Sequence, residues 1–394
     1  MEKEELRHHL NWDACIECGQ CLVNCRYMDL CEQDALREIH NINTGHIAGS
    51  EVLKKCISCY ACNAFCPRDA HPYERIHYNW DYRYKHEGLP KRTRYLMPTK
   101  TPNFRQNLRF TRQEQDLHRK WASETPPARV CLYPGCNLMA MPLLANGMIF
   151  DILPVWGRWD LCCGEMYFRM GLLDPVKKIA DRLSTFYRDK DIDEMVFVCP
   201  AGYNMFTNVL PQQFGAQFHF KTTFFTDWLL NQIENGVIHI EKPLTGSVVM
   251  HDSCHARILG NDFMNRQRSL LRLLGLAIYE TPYNRAHGLC CGMAAGCNKY
   301  SAWDLLVHGM RALRALNKAA GDEVAMYCTG CLLTFEIMRL FNPWSKSTVH
   351  CLEYVRTALG EKVPRRHTSR AFQILAGIAR HALPDYLSRE KFYI

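Results

Sequence analysis

The chain has 394 residues, of which 47% are hydrophobic and 22% charged, and its formal net charge is +8 at neutral pH. This composition is typical of a globular protein of two or three domains and excludes wholesale disorder. Its 21 cysteines are unusual, because a chain of this length does not depend on disulfides to form a core. The charged start, MEKEELRHHL, lacks the apolar segment of a signal peptide, so we expect reduced cysteines that act mostly as metal ligands, in a cytoplasmic protein.

Five segments follow one another along the chain, and we expect each to be a structural unit. They are a cysteine-dense module (1–75), a basic connector (76–128), two repeated domains (129–240 and 241–360) and a basic, amphipathic tail (361–394). The tail either docks on a membrane partner or packs against the preceding domain. No stretch of the sequence is long and apolar enough to span a bilayer.

The connector region carries most of the net positive charge. Residues 68–120 hold 13 Lys and Arg against 6 Asp and Glu, and a helix is predicted around Phe104–Trp121. Basic segments can bind nucleic acid, but no nucleic-acid-binding motif accompanies this one. We therefore interpret it as a solvated connecting face or a docking surface for an acidic partner, and we expect no nucleic-acid partner.

The cysteines of the first module are spaced as in two-cluster ferredoxins. The pattern C-x2-C-x2-C-x3-C occurs in two runs: Cys15, Cys18, Cys21, Cys25 and Cys56, Cys59, Cys62, Cys66. In such proteins the fourth cysteine of each run binds the other cluster. The spacing therefore predicts two [4Fe–4S] cubanes, one bound by Cys15, Cys18, Cys21 and Cys66 and the other by Cys56, Cys59, Cys62 and Cys25. Zinc ribbons, the alternative for paired cysteines, have a different spacing.

The segment between the two runs predicts a helix, which contains DALREIHNI. The module therefore resembles the α-helical ferredoxin modules of respiratory iron–sulfur subunits more than a small bacterial ferredoxin. Arg26 stands where proline often follows the fourth cysteine, a change that affects a turn and not a ligand. Cys31 lies outside the spacing, and we interpret it as an ordinary buried cysteine.

A pattern of three cysteine-bearing segments occurs twice in the rest of the chain. A β-type run leads to Cys136 in RVCLYPGC and to Cys254 in SVVMHDSC. A vicinal pair followed by glycine comes next, at Cys162–Cys163 and Cys290–Cys291, and a further strand then leads to Cys199 and Cys328. The two pairs are offset by 128 residues and the last cysteines by 129, so the segments occur in the same order, and the last two occur at nearly the same spacing.

This repeat predicts the fold class. Apolar β-type runs alternate with helical stretches, including amphipathic helices around Asp227–Ile233 and Leu352–Leu359. Such alternation indicates parallel sheets, which place their sites at the carboxyl ends of the strands. We predict an α-helical ferredoxin module followed by two repeated α/β domains with parallel sheets.

The second copy resembles a known family. It contains five cysteines in the motifs HDSCH, LCCG and CTGC: Cys254, Cys290, Cys291, Cys328 and Cys331. These motifs resemble the CCG-domain family: heterodisulfide reductase subunits B and D, the sulfite-reduction-linked DsrK subunit, and the iron–sulfur subunits of anaerobic glycerol-3-phosphate and glycolate dehydrogenases. The resemblance covers nearly the whole chain. It implies that the five cysteines hold a noncubane [4Fe–4S] cluster at which a disulfide is cleaved.

His251 and His255 flank Cys254 and are candidate catalytic residues. Histidine donates protons near neutral pH, so either side chain can protonate a departing thiolate. The alternative is that both histidines only form hydrogen bonds within the loop.

The first copy departs from the family pattern. It keeps Cys136, Cys162, Cys163 and Cys199, but Gly202 occupies the position of the last cysteine. Four thiolates can hold one further iron–sulfur cluster, with Cys131 as an additional candidate although it lies within a strand. The alternative is an empty site, which the resemblance implies for several relatives. Two other cysteines, Cys297 and Cys351, are interpreted as non-ligands.

Two functions fit these sites. The first is the catalytic subunit of a disulfide or thiol reductase complex, which receives electrons through the cubanes. The second is an electron-transfer subunit between a flavin dehydrogenase and quinone or a membrane cytochrome. A purely structural role for the clusters is the weakest alternative.

Both functions require partners. Any flavin or NAD chemistry is expected in another subunit, because no G-x-G-x-x-G follows a strand. Expected partners are a flavin, hydrogenase or dehydrogenase subunit, a membrane cytochrome, and a small thiol or a thiol-bearing carrier. We expect a cytoplasmic protein, either free or held at the cytoplasmic membrane face by a partner.

Overall fold

The computed structural model describes Arg7, residues 10–105 and residues 107–394. This part of the chain is rich in helices, and its main sheets are parallel, as predicted. A short 3-10 helix (Trp12–Ala14) comes first. Five helices follow: α1 (Gln20–Val23), α2 (Glu32–Thr44), α3 (Glu51–Lys55), α4 (Ala61–Ala64) and α5 (Pro72–Glu87).

Helix α2 contains the predicted DALREIHNI segment. Its buried face presents Ala35, Ile39 and Ile42, spaced as neighbours on one side of a helix, to Ile76 and Trp80 of α5 in the same apolar cluster. Helix α5 continues well past residue 75, where we placed the end of the first module. The helical part of this region is therefore longer than the cysteine spacing indicates.

The connector consists of strand β1 (Leu89–Pro90), a 3-10 helix (Lys91–Leu96) and helix α6 (Arg112–Trp121). The predicted helix begins at Arg112 and not near Phe104, because Thr111 caps it: the Glu114 N–H donates to Thr111 Oγ1 at 3.4 Å, and the Thr111 N–H donates to Glu114 Oε2 at 2.8 Å. Strand β1 pairs antiparallel with β9 (Lys391–Phe392), so the connector contacts the end of the chain.

The first parallel sheet has the strand order β2 (Val130–Tyr133), β3 (Glu194–Phe197), β4 (Lys221–Phe224). Tyr133 pairs with Phe197, so β2 and β3 end at the same edge. A π-helix lies at Met205–Val209, and 3-10 helices lie at Pro142–Ala145 and Trp159–Leu161. The α-helices are α7 (Gly135–Ala140), α8 (Ile149–Ile152), α9 (Glu165–Arg169), α10 (Leu173–Tyr187), α11 (Pro200–Asn204), α12 (Leu210–Phe214) and α13 (Phe225–Glu234).

The second parallel sheet has the order β6 (Ala277–Tyr279), β5 (Ser247–His251), β7 (Glu323–Met326), β8 (Ser347–His350). Strand β5 is apolar and buried, as expected for a central parallel strand covered on both faces. His251 pairs with Met326, so β5 and β7 also end together. The helices are α14 (Ala256–Leu273), α15 (Met293–Asn298), α16 (Ala302–Lys318), α17 (Thr329–Phe341) and α18 (Cys351–Ala358), with a 3-10 helix at Arg285–His287.

The tail forms helix α19 (His367–His381) and a 3-10 helix (Pro384–Tyr386), and α19 packs against α17. Arg370 of α19 is buried, and its Nη2 lies 2.5 Å from Glu114 Oε1 of the connector. The tail therefore lies against the rest of the described chain. Within the described residues, no helix has both the length and the apolar character needed to cross a bilayer.

His350 makes the cap of α18 sensitive to pH. Its Nδ1 accepts a hydrogen bond from the Leu352 N–H at 3.2 Å, and burial lowers the pKa of His350 to about 4. The folded state therefore resists protonation of this ring. The contribution of the neutral His350 ring to the free energy of unfolding is complete above the pKa of about 6.5 that histidine has in the unfolded chain. This contribution is lost as the pH falls towards 4.

We expect His350→Asn to reduce this acid sensitivity, because asparagine also caps helices but does not titrate. The wild-type protein should lose about 2 kcal/mol of unfolding free energy through His350 between pH 7 and pH 5. Urea unfolding at both pH values, under anaerobic conditions, measures the difference between the two proteins. An equal loss in both would contradict the assignment.

Candidate functional site

The structure brings four cysteines of the two ferredoxin-type runs together around one cavity. Its lining includes Cys15, Cys18, Cys21 and Cys66. Burial, followed by the charges of Cys66, Cys15 and Cys18, raises the pKa of the Cys21 thiol to about 12. The Ala70 N–H donates to Cys66 Sγ at 3.3 Å. This is the first set that the spacing predicted.

The other four cysteines of these runs form a second group: Cys25, Cys56, Cys59 and Cys62. Burial raises the pKa of Cys56 to about 12, and the charges of Cys59 and Cys25 raise it further against a hydrogen bond from the Ser58 N–H at 3.4 Å. Burial also raises the pKa of Cys62, and the next contributions come from Cys56 and from Cys21 of the first group. The two groups are therefore neighbours.

The cysteines of the second copy meet at the carboxyl edge of the second sheet. Cys254 follows β5, Cys290 and Cys291 precede α15, and Cys328 and Cys331 lie at the start of α17. Interactions with the thiols of Cys290 and Cys331 lower the pKa of Cys291 well below its usual range, and those with Cys291 and Cys328 raise the pKa of Cys331. The Gly292 N–H donates to Cys290 Sγ at 3.3 Å. We call these five residues the second-repeat group.

His251 and His255 have different positions relative to this group. Ligand atoms of His251, Cys291 and Cys331 lie within 4.8 Å of one another, and His251 Nε2 is buried without a hydrogen-bond partner in the described chain. His255 Nε2 instead lies 2.8 Å from Glu165 Oε1, and burial lowers the pKa of His255. His251 therefore faces the thiols, whereas His255 is bound to a carboxylate.

The four candidate ligands of the first copy lie in two different places. Interactions with the thiols of Cys136 and Cys163 lower the pKa of Cys162 well below its usual range, and Arg105 Nη2 donates to Cys162 Sγ at 3.3 Å. We call these three cysteines the first-repeat group. Interaction with the Cys328 thiol is the main cause that raises the pKa of Cys199, so this first-copy residue lies beside the second-repeat group.

The remaining cysteines have ordinary surroundings. Cys131 is buried within β2 and donates to the Ala128 carbonyl at 2.9 Å. Cys351 is buried at the first position of α18, and Cys297 is buried 3.7 Å from Met293 Sδ. Our expectation for Cys31 was wrong: it is exposed, because it occupies the N-cap of α2, and its Sγ lies 3.2 Å from Asp34 Oδ2.

Two buried arginines, which we did not single out in the sequence, join the second ferredoxin-type group to the second-repeat group. Arg257 donates to the Cys59 carbonyl at 2.5 Å and to the Gly288 carbonyl, just before Cys290. Arg169 donates to the Ser58 carbonyl at 2.6 Å and to Cys254 Sγ at 3.4 Å. Their positive charges lie where several thiolates would gather.

Tyr27 makes a further connection between these groups. The Cys290 N–H donates to Tyr27 Oη at 2.8 Å, and Tyr27 packs on a small apolar cluster that contains Cys59 and Cys290. The second ferredoxin-type group and the second-repeat group are therefore packed directly against each other, without another helix or strand between them.

Asp252, inside the HDSCH motif, organises the loops around the second-repeat group. Its carboxylate accepts hydrogen bonds from Arg268 Nη1 and Nη2 at 2.9 and 2.7 Å, from Tyr327 Oη at 2.8 Å and from the Arg285 N–H at 2.8 Å. Arg285 lies shortly before Cys290 and Cys291 in the chain, and Tyr327 lies directly before Cys328. In the sequence, the histidines of HDSCH were the candidate functional residues. In the structure, Asp252 of the same motif connects the loops around the second-repeat group.

The side chains present fit iron–sulfur clusters. Thiolates are the soft ligands that hold iron in tetrahedral sulfur coordination, and backbone N–H groups that point at the sulfurs help to set the potential. Such donors are present at Cys56, Cys66 and Cys290, and arginines adjoin Cys254 and Cys162.

Comparison with known proteins identifies the cysteine-rich region. Residues 248–336, which contain all five cysteines of the second-repeat group, match the CCG family, described as a cysteine-rich domain. The chain is 21% identical over 366 residues to the EtfAB:quinone oxidoreductase of Syntrophomonas wolfei, an alignment that covers 73% of the chain and 48% of that protein.

Two further relatives are also oxidoreductases or parts of them. The chain is 28% identical over 153 residues (38% of the chain, 20% of the relative) to FadF of Bacillus subtilis, described as a probable iron-sulfur-binding oxidoreductase. It is 23% identical over 179 residues (43% and 44%) to one of the subunits of the dihydromethanophenazine:CoB–CoM heterodisulfide reductase of Methanosarcina barkeri. The chain thus spans about half or less of the length of these three relatives.

Proposed function

We propose that this CCG-domain iron–sulfur protein, whose relatives are oxidoreductases and subunits of redox complexes, is the catalytic subunit of a heterodisulfide-reductase-like complex. It would reduce a disulfide or, in reverse, oxidise thiols. The observation that carries the proposal is the second-repeat group, in which five thiols and His251 meet directly beside the Cys59 segment. The proposed site of disulfide or thiol chemistry, the second-repeat group, therefore adjoins the ferredoxin-type group that would deliver electrons to it.

The cofactors follow from the ligand sets. We assign the two ferredoxin-type groups to [4Fe–4S] cubanes, the second-repeat group to a noncubane [4Fe–4S] cluster, and the first-repeat group, with or without Cys199, to one further cluster. When bound, these clusters supply single-electron transfer and, in the second-repeat group, thiophilic iron for a substrate sulfur.

The protein's own residues supply position, charge and a proton. Arg257 and Arg169 hold the Cys59 segment against Cys254 and Cys290, and their charges offset those of the thiolates. His251 is the proton donor that we assign to a departing thiolate, because its ring lies beside Cys291 and Cys331. Buried His255, held by Glu165, would act as a positioning residue and not as a proton donor.

The partners are part of the proposal. Electrons would come from a flavin, hydrogenase or dehydrogenase subunit, or pass to a membrane cytochrome, and the substrate would be a small thiol or disulfide or a thiol-bearing carrier protein. We place the complex in the cytoplasm or on the cytoplasmic face of the membrane. The five segments of the sequence are our proposed domain organisation, with the first module extended to the end of α5.

A second candidate function is favoured by one specific observation. The similarity to EtfAB:quinone oxidoreductase extends over 73% of the chain. It supports an electron-transfer subunit between a flavin dehydrogenase and quinone, with no substrate of its own. In that case the second-repeat group would only relay electrons.

Electron paramagnetic resonance of the anaerobically purified protein, in its oxidised form and again after reduction, separates the two functions. We expect a paramagnetic signal that depends on an added thiol or disulfide and disappears in Cys328→Ser, with a lower iron content. Cys297→Ser is the matched control, because this buried cysteine lies nearby outside the five-cysteine set. Signals of the reduced cubanes alone, unchanged by every thiol offered, would overturn the reductase and favour the relay.

A further inference from the structure

Tyr60 has a backbone conformation that large residues rarely adopt. It follows the second cysteine of its run directly, and Gly19 occupies the same place in the other run. Both residues precede a short helix and have a left-handed backbone, with φ of +61° at Tyr60 and +69° at Gly19. Glycine adopts this conformation without strain, whereas a bulky side chain makes it costly. Because strained residues of this kind concentrate at functional sites, the Tyr60 side chain is a candidate for a functional role.

The surroundings of the two positions differ. A Cβ atom at Gly19 would lie 3.2 Å from the Cβ of Ala35 on helix α2, which leaves little room for a side chain. The Tyr60 side chain instead reaches the second copy and is completely buried. Its ring centroid lies 4.7 Å from that of His255, the residue after Cys254. The run that adjoins the second-repeat group therefore carries an aromatic ring where the other run carries no side chain.

Tyr60 belongs to the contact between the second ferredoxin-type group and the second-repeat group. Arg169 Cζ lies 5.4 Å from the centroid of the Tyr60 ring, and a guanidinium over an aromatic face is held by electrostatic attraction as well as by packing. Nη2 of the same guanidinium donates to Cys254 Sγ at 3.4 Å and lies 2.7 Å from His255 Nε2. On its other side, Tyr60 follows Cys59 in the chain. The ring therefore links a cysteine of one group, through Arg169 and His255, to Cys254 of the other.

We propose that Tyr60 is a positioning residue for electron transfer from the second ferredoxin-type group to the second-repeat group, which rests on the proposed function for the clusters that the two groups hold. Electron tunnelling slows steeply with distance and across voids, so the Cys59 loop has to be held closely against Arg169 and His255. The Tyr60 ring fills the space between them, and a smaller side chain would leave a cavity there. This role requires the ring and not its hydroxyl group.

Flash photoreduction of the anaerobic, cluster-loaded full chain, with deazaflavin as the electron donor, tests this role. We expect the rate at which electrons pass from the proposed cubanes to the second-repeat cluster to fall about tenfold or more in Tyr60→Leu and to stay unchanged in Tyr60→Phe. Tyr187→Leu is the matched control, because Tyr187 is also completely buried but packs on Trp156 and Phe206 in the first copy. The control should lower the free energy of unfolding by a similar amount and leave the transfer rate unchanged.

Amide hydrogen exchange gives a readout that does not depend on electron transfer. Exchange in the segment 57–61 should be faster in Tyr60→Leu than in the wild type, and unchanged in Tyr60→Phe, because the smaller side chain loosens this loop. If Tyr60→Leu loses iron, Tyr60→Gly replaces it, since glycine accepts the left-handed backbone as it does at Gly19.

Two results would overturn the proposal: an unchanged transfer rate in a leucine or glycine variant that keeps its full iron content, or an equal slowing in Tyr187→Leu. Failure of the proposed function has a different signature. In that case the transfer rate would still depend on the Tyr60 ring, while no thiol-dependent paramagnetic signal arises from the second-repeat group.

Discussion

Replacement of Arg169 by methionine is expected to lower the free energy of unfolding by about 3–5 kcal/mol, because it leaves a buried carboxylate without its partner. Arg169 is 3% exposed, and its Nη2 lies 2.5 Å from Glu165 Oε1. Burial raises the pKa of Glu165, but the charge of Arg169 and the hydrogen bond from His255 lower it to about 2. Without Arg169, the Ser58 carbonyl and Cys254 also lose a donor.

Urea unfolding of the anaerobic, cluster-loaded protein measures this loss. Arg119→Met is the matched control, since Arg119 is 68% exposed and pairs with Asp116 on the surface of α6. Its expected cost is about 0–1 kcal/mol. Similar costs for the two variants would contradict the buried network around Arg169. The proposed function gives a second readout: in Arg169→Met, the signals of the two proposed cubanes should persist, while re-reduction of the cluster proposed for the second-repeat group should slow.

Replacement of Asp252 by alanine is the other prediction with a large effect. Asp252 is buried and bound to buried Arg268, so its removal leaves that guanidinium with Glu280 as its one remaining carboxylate partner among the residues that the structure describes. We expect a loss of about 3–5 kcal/mol in the free energy of unfolding. Tyr327 Oη and the Arg285 N–H also lose their acceptor, which releases the loops before Cys328 and Cys290.

With the proposed cofactors, the iron content should therefore fall by about four atoms per chain in Asp252→Ala, the content of the [4Fe–4S] cluster proposed for the second-repeat group, while the signals of the proposed cubanes persist. Asp262→Ala serves as the control on the same helix as Arg268: its side chain is exposed, and we expect a change within about 0.5 kcal/mol. A full iron content in Asp252→Ala would show that the loops keep their positions without the carboxylate.

The sequence predicted the local parts of this protein well. The two sets of cysteines that we propose as cubane ligands were predicted from spacing within short runs, and the members of each set lie together in the structure. The equal order of cysteines in the two copies predicted strands that end beside them, because consecutive β–α units produce parallel sheets with their carboxyl ends at one edge. In the described chain, Cys136 and Cys199 follow β2 and β3, and Cys254 and Cys328 follow β5 and β7.

The neighbours of Cys199 in the structure could not be predicted from the repeat. Repeat alignment grouped it with Cys136, Cys162 and Cys163, but its thiol contacts Cys328, which is 129 residues away. A repeat predicts equivalent positions within each copy, and it carries no information about how the edges of two copies face each other. That arrangement depends on packing between the copies.

By itself, the sequence determined which cysteines are candidate ligands and that helices alternate with parallel strands, since these features depend on neighbours in the chain and on hydrophobic periodicity. Only the tertiary structure decided which charges surround the thiols. Arg169 meets Ser58 and Cys254 across 111 and 85 residues, and Arg105 meets Cys162 across 57. The physical reason is desolvation: a buried guanidinium is stable only where folding gathers acceptors around it, and no local pattern marks those acceptors.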